Sequence, residues 1–156
     1  YFKYYFWSCK RKKKIDEILL RINVWISCNG LNETAYADLE FPYTALSLIT
    51  RNYEEFESIE DIYNELILLY DEAKEKGFDL GEALYSQVAF FADYKLLLNL
   101  ECQKKIKEYR FCKSFSCPPC KSLEDTPEEI IDDFMIIDEE HHKCINSIKK
   151  QNQKDK

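Results

Sequence analysis

The chain has 156 residues and a net charge of −7, with hydrophobic residues at 46% and charged residues at 33%. That balance supports one buried core and excludes a wholly disordered chain. Three glycines and four prolines supply too few turns for a sandwich or barrel, which need one every ~8–12 residues. No apolar run reaches the ~18 residues of a membrane span. The sequence has no glycine-rich phosphate loop, and its two histidines limit any multi-histidine metal site. The expected fold is all-α, an irregular bundle of five or six helices in one domain with a cysteine-rich loop before the last helix.

Charge is unevenly placed. Residues 1–14 carry Lys3, Lys10, Arg11, Lys12, Lys13 and Lys14 and no acid, so a chain total of −7 leaves −13 on the remainder. An acidic body repels phosphate backbones, which confines any contact with nucleic acid or an anionic membrane to residues 10–14. The stretch Tyr1-Phe2-Lys3-Tyr4-Tyr5-Phe6-Trp7 holds six aromatics in seven residues. Aromatics followed by Cys9 and a basic cluster have the pattern of the cytoplasmic end of a membrane anchor. Docking on the domain or on a partner is the preferred alternative. The expected organisation is an aromatic and basic arm at 1–14, an acidic helical domain at 15–150 and a polar tail at 151–156. No signal peptide is legible, so the expected location is intracellular, or membrane-anchored if a longer N-terminus exists.

Along the body, Ile15, Ile18, Leu19, Ile22 and Trp25 fall at helical spacing, with Asn29-Gly30 as the stop. Ile22, Val24, Ile26 and Cys28 also alternate ahead of that Asn-Gly, which is a hairpin signal, but helix is the expectation. Pro42 suits a first helical turn, followed by a stripe of Leu46, Ile49 and Tyr53. Ser58 with Asp61 approximates a capping box for the amphipathic run from Ile59 to Ala73, which Gly77 ends. Asp79 and Glu82 repeat the arrangement. Leu84 to Tyr109 then reads as one helix of about thirty residues, ~45 Å long at 1.5 Å per residue. It is expected to form the central pair with Ile59–Ala73. Residues 113–126 are a loop, and Thr126-Pro127-Glu128-Glu129 is a capped start for a last helix carrying Ile130, Phe134, Ile137, His141, Cys144 and Ile148 on one face.

Seven cysteines, an odd count without a signal sequence, argue against a fully paired secreted framework. The sequon Asn32-Glu33-Thr34 matters only on a secretory route. Cys117 and Cys120 form a C-x2-C pair, and His141 and Cys144 repeat the three-residue step on a helix. Two loop ligands and two helix ligands can complete a tetrahedral zinc site, with Cys112 as a spare and His142 as a substitute for His141. Against zinc, Pro118 and Pro119 lack the N–H groups that usually stabilise the thiolates. Unbound structural cysteines and a redox pair at Cys117-Pro118-Pro119-Cys120 are the competing readings. The cofactor expectation is therefore none, or one structural zinc on Cys117, Cys120, His141 and Cys144. A di-iron site is excluded, because adjacent histidines cannot supply two Glu-x-x-His copies.

No coherent catalytic set emerges. The expected function is a non-catalytic helical protein–protein interaction or assembly protein. The alternative is a zinc-stabilised helical module contacting nucleic acid or an anionic surface through its basic arm.

Overall fold

The computed structural model describes residues 2–155. It begins with α1, Phe2–Asn29, a helix of 28 residues. Neither glycine nor proline interrupts those positions, so the aromatic and basic arm continues into the domain without a break. Asn29-Gly30 is the stop, with Gly30 at φ +80° and its N–H on Ile26 O at 2.7 Å.

From Ile18 to Ile26 every residue of α1 is buried, the polar Arg21 and Asn23 included. A helix buried on all faces is a core helix, and α1 packs against α2, α3, α4 and α5. The centre of the fold is therefore α1 and not the expected pair of Ile59–Ala73 with Leu84–Tyr109.

The chain is mostly helical, as expected, but it also contains an antiparallel hairpin that the all-α reading lacked. Strands β1 (Tyr43–Leu46) and β2 (Tyr53–Phe56) pair Tyr43 with Phe56 and Leu46 with Tyr53, where a helix starting at Pro42 was expected. Tyr43, Ala45 and Ser47 are buried in alternation, and Tyr43 stacks between Phe41 and Phe56. The turn is held from outside the hairpin. Glu65, on α2 (Ile59–Glu75), accepts from Ser47 Oγ at 2.9 Å and from Leu48 N at 2.8 Å. Asp61 reaches back as its capping role predicts, but to Glu57 N (2.8 Å) rather than Ser58.

The expected thirty-residue helix is three pieces: α3 (Leu80–Val88), a 3₁₀ turn (Tyr94–Leu96) and α4 (Leu100–Phe115). Asp93 caps the turn and Asn99 caps α4, its side chain accepting from Cys102 N at 3.0 Å. Asn23 of α1 secures the break. Its Nδ2 donates to Leu97 O (2.9 Å), and its Oδ1 accepts from Asn99 N (3.1 Å) and Gln103 Nε2 (3.0 Å). The last helix, α5, spans Glu128–Lys154 with Pro127 at its N-cap, so it runs into the stretch expected to be a polar tail. Thr126 does not cap it; its hydroxyl donates to Ser122 O at 2.8 Å.

Burial raises the phenols of Tyr43, Tyr70 and Tyr94 from the usual value near 10 to about 12, helped by Tyr36, Glu17 and Tyr85 respectively. The neutral phenol is the form the fold favours. These residues therefore contribute stability that is whole below pH ~10 and is lost as pH rises toward about 12. An ultraviolet absorbance titration is expected to show some phenols staying protonated past pH ~10 and ionising only with unfolding. Simple titration of all eleven tyrosines near pH ~10 would overturn this.

Candidate functional site

Two places on α1 concentrate chemistry. The first is the arm. Tyr4, Phe6 and Trp7 are 87%, 59% and 75% exposed, so these rings do not dock on their own domain. Lys10 Nζ lies 4.4 Å from the centroid of the Phe6 ring, a cation–π contact. Arg11 and Lys14 turn toward α2. Arg11 Nη2 donates to Glu60 Oε2 (3.0 Å) and Asn64 Oδ1 (2.8 Å), and Lys14 Nζ to Asp71 Oδ1 (2.8 Å). Between these bridges and Trp7 lies an open groove of about 680 Å³ floored by Ile67 and Leu68. No described helix is long and apolar enough to cross a membrane.

The second place is where α1 meets α5. Arg21, Trp25 and Cys28 form one stripe of α1 at steps of four and three, and Glu140, His141 and Cys144 face them. Glu140 is fully buried and doubly held, by Arg21 Nη1 donating at 2.6 Å to one oxygen and Trp25 Nε1 at 2.7 Å to the other. Glu17 braces the far side of the guanidinium at 3.0 Å. Gly81 of α3 closes the site from above: a Cβ there would stand 1.9 Å from Glu140 Oε2 and 2.6 Å from Trp25 Nε1. Beside this pair, Cys28 Sγ lies 3.6 Å from His141 Nδ1, and Asn29 Nδ2 donates to Cys144 Sγ at 3.4 Å. Burial first, then the neighbouring Cys28 thiol, pushes the Cys144 thiol up to about 12.

The four residues expected to bind zinc have different neighbours. His141 and Cys144 meet Cys28 and Asn29. Cys117, in the loop, donates its N–H to Cys112 O at 3.0 Å, and its thiol faces the Cys112 thiol with Cys120 nearby. Among the described residues, no group of three or more His, Cys, Asp and Glu side chains is arranged to hold a metal ion. His142 points elsewhere, its Nδ1 on Asp138 O at 2.7 Å. All seven cysteines are free.

The chain matches no protein-family model, no characterised protein and no solved structure.

Sequence reasoning passed over Cys28, Arg21 and Glu140. The available signal was periodicity: Arg21, Trp25 and Cys28 share a face of α1, and Ile137, Glu140 and Cys144 share one of α5. Polar residues set within apolar stripes on two helices mark a paired interface.

Proposed function

We propose that the chain is a non-catalytic interaction or assembly protein that binds another protein through the aromatic arm of α1 and the groove it forms with α2. The observation that carries this reading is the uncovered aromatic surface of Tyr4, Phe6 and Trp7. Contiguous exposed aromatics mark association sites, and Trp and Tyr are the residue types that dominate binding energy when a partner desolvates them. Lys10, which lines the groove beside Arg11 and Lys14, suits a partner with an acidic border.

Contact with nucleic acid or an anionic membrane through residues 10–14 is the competing reading, and one observation weighs against it. Arg11 and Lys14 are already bridged to acids of α2, which leaves Lys10, Lys12 and Lys13 of the cluster without an acid partner among the described residues. Each phosphate contact contributes only part of a salt-dependent attraction, so three give weak binding at physiological salt.

The test places a photo-crosslinking residue at the exposed position of Ser8, in the full chain in native extract, and compares it with the same probe in Tyr4→Ala/Trp7→Ala. A saturable protein adduct is expected, with the double variant losing at least ~tenfold in affinity, as hot-spot aromatics do. The unfolding midpoint should shift by less than ~1 kcal/mol equivalent, because both rings are solvated. Saturable binding to anionic vesicles or duplex DNA with no protein adduct would overturn the proposal.

A further inference from the structure

We propose that Cys28 and Cys144 form a peroxide-responsive dithiol that closes a disulfide between α1 and α5. Both thiols lie at one junction of α1 and α5: Cys28 Sγ is 3.6 Å from His141 Nδ1, and Asn29, the neighbour of Cys28, donates to Cys144 Sγ at 3.4 Å. They differ in access. Cys144 is fully buried, whereas Cys28 is only partly so, so an oxidant small enough to enter meets Cys28 first. The His141 ring, 3.6 Å away, is within reach to take the Cys28 proton.

The chemistry balances with hydrogen peroxide as the oxidant. The Cys28 sulfur attacks one peroxide oxygen, the O–O bond breaks, and hydroxide leaves and collects the proton held by His141. This yields water and a sulfenic acid on Cys28. The Cys144 sulfur then attacks the Cys28 sulfur, the S–O bond breaks, and the hydroxyl departs with the Cys144 proton as a second water. In net terms two thiols lose two electrons to one peroxide, which becomes two waters.

The remaining cysteines lack this combination. Cys9 stands exposed on the arm and Cys102 is buried on α4. Cys112 does face Cys117, but those two lie five positions apart across the C-terminal cap of α4, and Cys120 follows in the same loop. A bridge there would constrain a short loop, whereas Cys28 and Cys144 lie more than a hundred residues apart. Joining the latter removes far more freedom from the unfolded chain.

The experiment treats the reduced full-length protein with about one equivalent of hydrogen peroxide and maps thiols by differential alkylation and peptide mass spectrometry. Expected is a Cys28–Cys144 crosslinked peptide, loss of two of the seven thiols, a Tm raised by roughly 10 °C, and reversal by dithiothreitol. In Cys144→Ser, dimedone should trap a sulfenic acid on Cys28, and His141→Gln should slow thiol loss at least ~tenfold. The wild-type peptide map decides the matter even if a variant fails to fold. A Cys112–Cys117 bridge formed while Cys28 and Cys144 stay reduced would overturn the proposal. So would zinc bound to the purified protein and lost in Cys144→Ser.

Discussion

Gly81→Ala is expected to cost about 3 kcal/mol of folding stability, read as a lowered urea midpoint at unchanged slope. The methyl group would occupy the place of Glu140 Oε2, 1.9 Å from an ideal Cβ. A carboxylate end can swing away cheaply when it lies at a surface. Glu140 cannot, because it is fully buried and its oxygens are taken by Arg21 and Trp25. Any swing separates a buried ion pair and leaves a desolvated charge without a partner, which is why breaking such pairs costs several kcal/mol. If this is the mechanism, the effect must be shared with Glu140 itself. Glu140→Ala alone should also destabilise strongly, because Arg21 keeps only Glu17 and Glu139 and the Trp25 N–H loses its acceptor. Adding Gly81→Ala to it should cost clearly less than Gly81→Ala alone, leaving only the 2.6 Å approach to Trp25 Nε1. Simple additivity of the two would place the damage at Trp25 or in the α3 backbone instead.

Asn23→Ala is expected to cost about 2–4 kcal/mol, because the Asn23 side chain is fully buried. The Asn23 side chain satisfies Leu97 O and Asn99 N, two backbone groups that the break between the 3₁₀ turn and α4 leaves without helical partners. Removing it leaves both without that partner, at ~1–3 kcal/mol for the carbonyl of buried Leu97 and less for the half-buried Asn99 N–H. Gln103→Ala, which touches only the rim of the same cluster, should cost under ~1 kcal/mol. Amide hydrogen exchange should locate the damage, with the first turn of α4 opening faster while α2 keeps its protection. Equal loosening throughout the chain would show that Asn23 serves general packing and not the junction.

What the sequence revealed and concealed follows one division. The stop at Asn29-Gly30 and the end of α2 near Gly77, at φ +71°, depend on backbone conformations only a few residue types adopt easily, so they are legible locally. The hairpin is not local. Leu46, Ile49 and Tyr53 fit helical spacing, but Tyr53 is 74% exposed while Ser47 is buried, because a glutamate from α2 satisfies the turn. The interruption between α3 and α4 was hidden for the same reason: Phe90 to Leu100 reads as continuous apolar helix, and Asp93 and Asn99 become caps only once α1 supplies Asn23. Arg21 and Glu140 stand 119 positions apart, and no spacing rule joins them. The Cys28 contact with His141 likewise joins residues 113 positions apart, beyond the reach of any spacing rule.

The unbroken course of α1 has a mechanical consequence. A helix without glycine or proline offers no hinge, so the arm and the acidic body turn as one piece. Each residue of α1 advances the helix by about 100° in rotation and 1.5 Å in height. The face of Trp7 is thus locked in phase with the faces of Arg21 and Asn23 that grip the core. A partner that seizes the arm thereby chooses which side of the body it presents, and at what distance, with α1 acting as a keyed shaft rather than a tether.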